Sequence, residues 1–323
     1  MSIDLRPLGN SGIRVSAVAF GAWPISGMTS VDVNDRDSLK TIAAALDAGV
    51  NFIDTAYGYG AGGESERLIG RALRGRRDEA VIATKCGLHW DARVQRVMDA
   101  TPKRIRLEID ESLRRLGTDR VELLYLHAPD GRTPLAETAG ALREIVHSGK
   151  ARAIGVSNFN VAQLEEFTAV CPIAAHQPPY NMLQRQIEQD TLPWCRERGI
   201  AVVVYWPLMK GLLAGHLRRD HVFAEGDGRV KYPQFRGEEF QKNCDLVDRL
   251  REIADEAGKT VAQVVVNWTI HQPGVTSALC GAKRDYQIIE TAGAMGWRLT
   301  DSQLARIEAA LRDRGEPATR SAV

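Results

Sequence analysis

Short apolar runs that end in a polar residue, each followed by a stretch with helical spacing, recur along the chain without a break in composition. This alternation restricts the fold more than any single motif, because parallel strands need crossover connections and helices supply them. Residues 18–20 form the first buried run. The helix after it covers 35–48, with Leu39, Ile42, Ala43 and Leu46 on one face and Gly49 as its stop. Phe52 and Ile53 end a second strand at Asp54, and Gly63-Glu64-Ser65-Glu66 opens a helix over 67–73 with acid where a helix N-terminus favours it. Strand 80–84 comes next, then helix 102–116, for which Thr101 is the cap and Pro102 the first residue. Strand 121–126, helix 134–146, strand 151–156, a helix from Val161, strand 173–176, helix 192–198 and strand 201–205 continue the series. Helices 241–257 and 261–270 then precede strand 276–280, a helix from Asp285 and a last helix over 302–311.

Eight uninterrupted βα units predict an α/β fold of the closed (β/α)8 TIM-barrel type rather than a doubly wound sheet, as a single domain over 1–323. Two extra helices are left over, one of the pair before the eighth strand and one at the C-terminus. Residues 5–8 and 13–15 flank Gly9-Asn10-Ser11-Gly12, which reads as an N-terminal β-hairpin. Residues 212–239 lack a clear period and carry Phe223, Tyr232, Pro233 and Phe235, the composition of a long loop that serves as a lid.

Composition narrows the function classes. With 26% charged residues and a net charge of +1, the 323-residue chain gives no sign of a nucleic-acid or membrane partner. Cys86, Cys171, Cys195, Cys244 and Cys280 are scattered, without zinc-ligand spacing, and read as reduced thiols of a cytoplasmic protein with no metal site. The N-terminal residues lack the pattern of a secretory signal, and no apolar run approaches ~18 residues. No heptad run or interface patch reveals an oligomeric state.

The polar residues at the strand ends carry the chemistry. Asn51-Phe-Ile-Asp54-Thr-Ala-Tyr57-Gly-Tyr59-Gly60 ends a strand in a carboxylate and turns through small residues and two tyrosines. Alone, it fits a structural βα turn equally well. The next two strands end in Thr84-Lys85-Cys86 and Leu126-His127-Ala128-Pro129-Asp130. A Lys or His so placed is by itself commonly a solvated or packing residue. Together, Asp54, Tyr59, Lys85 and His127 make a chemical set at one end of a barrel. A tyrosine can donate a proton at neutral pH, an ammonium steadies the phenolate left behind, and a carboxylate keeps that ammonium charged.

The motifs Asp54-Thr-Ala-x-x-Tyr59-Gly60, Ala83-Thr-Lys85, Leu126-His127-x-Pro129-Asp130 and Gly155-Val-Ser-Asn158-Phe159 resemble those of the aldo-keto reductases over nearly the whole chain. The resemblance implies a catalytic tetrad of Asp54, Tyr59, Lys85 and His127, with Tyr57 as a nearby decoy. It also implies that Ser157, Asn158 and Gln177 hold a nicotinamide carboxamide, with Tyr205 stacked on the ring. Leu208 and Gly211 would lie beside the pyrophosphate. Gly281, Lys283 and Arg284 would form the 2′-phosphate site, favouring NADP(H), with helix-start amides joining the two cations; Gln287 and Glu290 would sit near adenine and ribose. Two positions depart from many relatives: Trp206 stands in place of Ser, and Thr291 in place of Asn.

The expected activity is NADPH-dependent reduction of an aldehyde or ketone, with Tyr59 as general acid. The expected partner is a small-molecule carbonyl substrate in an apolar pocket lined by Trp23, Tyr57, Trp90 and the lid. Two rivals have distinct signatures. A nucleotide-sensing subunit resembling channel-associated β subunits would bind NADPH tightly but turn over slowly. A Schiff-base enzyme would use Lys85 as a nucleophile.

Overall fold

The computed structural model describes residues 4–28 and 32–318; the first and last residues of the expected domain lie outside them. A hairpin of β1 (Leu5–Pro7) and β2 (Arg14–Ser16) comes first. Eight parallel strands then close a barrel: β3 (Val18–Gly21), β4 (Phe52–Asp54), β5 (Val81–Cys86), β8 (Val121–Leu126), β9 (Ala151–Ser157), β10 (Ala175–Gln177), β11 (Ala201–Tyr205) and β12 (Val275–Gly281). Between β5 and the next barrel strand lies a second hairpin, β6 (Leu88–Trp90) with β7 (Arg96–Met98).

Among the described residues, ten α-helices accompany the strands: α1 (Asp35–Asp47), α2 (Glu64–Ala72), α3 (Pro102–Leu116), α4 (Leu135–His147), α5 (Val161–Thr168), α6 (Thr191–Glu197), α7 (Gly237–Ala257), α8 (Val261–Ile270), α9 (Asp285–Ala292) and α10 (Asp301–Arg314). The local signals behave as expected. Thr101 Oγ1 accepts from the Arg104 amide ahead of Pro102, and Gly117 ends α3 in the left-handed region. The surplus helices are one of the α7–α8 pair and α10.

The core has two layers, and strand alternation assigns residues to each. In β8, Leu123 and Tyr125 face the lumen while Leu124 and Leu126 face the surrounding helices; in β11, Ala201 and Val203 alternate with Val202 and Val204 in the same way. Leu8, Ile13 and Val15 of the N-terminal hairpin join the lumen cluster and plug the barrel's lower end. Gly9 lets the hairpin seat there: a Cβ on it would fall 2.3 Å from the Ala174 carbonyl oxygen, and its φ is +54°.

Most expected elements shift by one to three residues at an end, as with helix 67–73, observed at Glu64–Ala72, and strand 173–176, observed at Ala175–Gln177; three features depart further. The β6–β7 hairpin has no glycine at its turn, which Asp91 builds by accepting the Arg93 and Gln95 amides with Val94 left-handed. α7 begins at Gly237, four residues ahead of the expected 241, with Glu238 and Glu239 in its first turn. The long loop 212–239 is present, but it holds short 3-10 turns at Gly228–Lys231 and Pro233–Phe235.

Candidate active site

Strand parity determines which side chains gather at the barrel's open end. Phe52 faces the lumen, so Asp54 does too; Ala83 is followed inward by Lys85, Tyr125 by His127, Ala175 by Gln177 and Val203 by Tyr205. On β9 the inward step from Ala153 to Ser157 passes Gly155, where a Cβ would fall 2.4 Å from the Tyr125 ring. On β12 the step from Leu279 leads to Gly281. The site is the top layer of the barrel interior, with polar groups substituted for apolar ones.

At its centre, Lys85 Nζ donates to Asp54 Oδ1, to the Thr55 carbonyl at 2.9 Å and to the Tyr59 hydroxyl at 3.2 Å. Lys85 and Asp54 are each 1% exposed. Burial pushes the Asp54 carboxyl up, and Lys85 and Gln177 pull it back. Burial also works against the Lys85 ammonium, but Asp54 and Tyr59 outweigh it and hold the amine above its ordinary value. The amine therefore keeps its proton at neutral pH, against the Asp54 carboxyl. At Tyr59 burial dominates, raising the phenol above the usual tyrosine value against the pull of Lys85. The Tyr59 ring meets Trp23 edge-on at 5.0 Å and His127 at 5.9 Å. Burial, then Lys85, then Arg96 depress His127 to about 3, so its imidazole is neutral. Its Nδ1 is buried without a hydrogen-bond partner.

A second group runs around the mouth. Tyr205 donates its hydroxyl to Asn158 Oδ1 at 2.7 Å. Asn158 Nδ2 donates to the His127 carbonyl at 3.0 Å and to Ser157 Oγ at 3.1 Å. Ser157 Oγ donates to the Gln177 carbonyl at 2.7 Å, and Gln177 Nε2 donates to Asp54 Oδ2 at 2.9 Å. Asn158 is left-handed at φ 62°, a conformation Asn tolerates better than most residues. The donors of both amides are engaged within the protein, which leaves Asn158 Oδ1 and Gln177 Oε1 with acceptor capacity. That chemistry fits the NH2 of a carboxamide.

Tyr57 does not line the pocket. Its hydroxyl donates to Glu111 Oε2 of α3 at 2.5 Å, and its ring lies under Arg115 at 4.2 Å, outside the barrel mouth. Trp90 does belong at the site: its Nε1 donates to the Gly58 carbonyl at 2.8 Å, tying the β6–β7 hairpin to the loop that carries Tyr59. The adjacent Gly58 is required by contact, because a Cβ there would fall 2.5 Å from Leu88 Cδ2.

Beyond β11, Trp206, Met209, Lys210 and Gly211 all have positive φ, so this turn exposes backbone in an unusual geometry beside Leu208. Trp206 meets Tyr205 at 5.3 Å and Tyr232 of the lid at 5.7 Å, with Lys210 Nζ 4.3 Å from its ring. The departure at Trp206 thus joins the lid to the barrel rim.

Around α9 the expected arrangement is altered. The amides of Lys283 and Arg284 donate to Gln287 Oε1, at 2.9 and 3.2 Å, so the chain's own side chain takes the amides expected for an anion. The Arg284 guanidinium donates to the Asp32 carbonyl at 2.7 Å and lies 3.6 Å from Asp37. Glu290 lies 3.5 Å from His216. Thr291 is buried and donates back to the Gln287 carbonyl.

A closed parallel barrel with a polar, ionisable layer at its open end has the architecture of a barrel enzyme. The chain belongs to the aldo/keto reductase family, whose profile matches residues 17–312. It is similar to the Bacillus subtilis aldo-keto reductase YhdN, at 36% identity over 96% of this chain and 94% of that protein. It is also similar to the Escherichia coli NADH-specific methylglyoxal reductase, at 33% identity over 92% of this chain and 94% of that one. Among solved structures, a glycerol dehydrogenase from Gluconobacter oxydans matches with a TM-score of 0.91 and 37% identity, covering 100% of this chain and 99% of that one. No helix among the described residues is long and apolar enough to cross a membrane, and no three-residue group among them could hold a metal ion.

Proposed function

We propose that this chain reduces an aldehyde or ketone with NADPH and that Tyr59 is the proton donor. The observation that carries the proposal is the Asp54–Lys85–Tyr59 chain, in which a charged, buried Lys85 donates to a phenol that keeps its own proton. When bound, the nicotinamide supplies a hydride to the carbonyl carbon. Tyr59 gives its hydroxyl proton to the carbonyl oxygen as negative charge grows there. Lys85 then stabilises the phenolate, with its charge maintained by Asp54. His127, neutral and edge-on to Tyr59, orients the carbonyl oxygen through its ring nitrogen. Asn158 and Gln177 hold the cofactor's carboxamide through the acceptors described above.

The Schiff-base alternative needs a neutral amine. Asp54 and Tyr59 hold Lys85 charged, which argues against it. Cofactor choice rests on Lys283 and Arg284, and related proteins differ: the Escherichia coli relative is NADH-specific, whereas a Schizosaccharomyces pombe relative at 33% identity carries NADP(+) in its name. Titrating tryptophan fluorescence with each nucleotide separates the two. Saturation at much lower NADPH than NADH is expected, and equal affinity sinks the NADPH preference.

The decisive variant is Tyr59→Phe. It should bind NADPH like the parent while kcat for carbonyl reduction falls by roughly 10²–10⁴. Near-normal turnover would remove Tyr59 from the donor role. Tight nucleotide binding by the parent, with slow turnover on every carbonyl tried, would point instead to a nucleotide-sensing subunit.

A further inference from the structure

We infer that Arg96 anchors an anionic group, a carboxylate or a phosphate, on the molecule that carries the reacting carbonyl. The inference rests on the carbonyl-reductase reading and adds a substrate class to it.

The two faces of the β6–β7 hairpin are distinguishable. Leu88 and Trp90, two residues apart, share the face that meets the catalytic loop: Leu88 lies against Gly58, and Trp90 bonds its carbonyl. His89, between them, faces the other way toward Glu108, 3.6 Å off. Arg96 pairs directly with Trp90 across the ladder, so its side chain rises from the Trp90 face. Arg96 is exposed, and its side chain has no hydrogen bond or ion pair among the described residues. The hairpin itself is held from behind, because Arg132 Nη2 donates to the Met98 carbonyl at 2.8 Å.

Charge bookkeeping at the mouth isolates the same residue. Lys85 is matched by Asp54, Tyr59 retains its proton and His127 is neutral. Through Trp90, its cross-strand neighbour, Arg96 belongs to the hairpin face that is bonded to the Tyr59 loop, and its positive charge adds a little to the burial and Lys85 effects that disfavour the His127 imidazolium. Nothing described at the mouth compensates it. A guanidinium presents a planar fork that matches a carboxylate or phosphate with two parallel hydrogen bonds, and Trp90 beside it offers an apolar surface for the carbons between that anion and the carbonyl.

The test compares kcat/KM for matched pairs: succinic semialdehyde against butanal, and glyceraldehyde 3-phosphate against glyceraldehyde. The parent, Arg96→Met and Arg96→Lys are assayed side by side. The parent should prefer the anionic member of at least one pair by about tenfold or more, and the pair that shows the preference tells carboxylate from phosphate. Arg96→Met should abolish the preference by raising KM for the anion and leave the neutral partner unchanged, while Arg96→Lys restores part of it. Equal loss on both members, or an unchanged preference, overturns the anchor. A binding measurement keeps the two proposals apart: succinate, but not succinamide, should change the tryptophan fluorescence of the NADPH-loaded parent and not of Arg96→Met. If no carbonyl is reduced, the reductase reading falls, and succinate binding that is independent of Arg96 still overturns the anchor.

Discussion

Tyr59 and His127 sit edge to edge yet titrate far from neutrality in opposite directions, because burial disfavours the phenolate of one and the imidazolium of the other. The proposed reduction would need the protonated phenol and the neutral imidazole, and both persist between pH 5 and 9. The kcat/KM for reduction should therefore stay flat across that range and fall only above the ordinary tyrosine pKa of ~10. A stopped-flow pH profile checks it; a limb near pH 6 to 7 would mean that a different group controls the proton. Asp54, Lys85 and His127 were legible in the sequence because each follows an apolar strand, and the period of two then turns it inward. The outward turn of Tyr57 was not legible as a contact, since its partners Glu111 and Arg115 lie on α3, more than fifty residues along the chain. The same is true of Arg284, whose pairing with Asp37 depends on the closure of the barrel.

Among the elements, the β6–β7 hairpin departs most from what the sequence announces. Hairpins are usually recognised by a glycine at the turn, and here an Asx-type turn at Asp91 does the work with Val94 left-handed. What fastens this element to the site is the Trp90–Gly58 bond. Trp90→Phe keeps an aromatic ring but removes the donor, so it should cost about 1 kcal/mol of stability. It should also raise KM more than it lowers kcat, because the Tyr59 chain is untouched. Thermal unfolding and steady-state kinetics on the one variant read both effects; a fall in kcat alone would mean that the hairpin shapes the chemistry directly. The strands and helices of the barrel were legible for the opposite reason: their signals are local, as with Thr101, Pro102 and Gly117 around α3.

Across the whole molecule, the eightfold alternation specified the barrel, and its buried ionisable groups predict how stability responds to pH. His176 is fully buried, and burial lowers it to about 4, although its Nδ1 faces the Val156 carbonyl at 3.2 Å. The unfolded chain takes up that proton near pH ~6.5 while the folded one does not. Stability is complete above pH 6.5 and is lost as pH falls toward 4, by up to ~3 kcal/mol. Glu108 runs the other way. Burial raises it to about 7 against the Gly87 amide and Arg104, so the native state loses stability as pH climbs from the ordinary carboxyl range toward 7. Between pH 4.5 and 6.5 these two contributions oppose each other and largely cancel in the melting temperature of the parent. Relative to the parent, His176→Gln should tilt the curve toward a fall with rising pH and Glu108→Gln toward a rise; a curve unaltered by either change would assign the dependence to other groups.

In the barrel's ring of eight strands, β10 and β4 stand opposite each other, so the Gln177–Asp54 bond crosses the full diameter. It works as a tie rod, joining two opposite walls of the lumen through one pair of side chains. The carboxylate at its end also accepts from Lys85, so any displacement of Gln177 is passed to the Lys85 ammonium through a single residue.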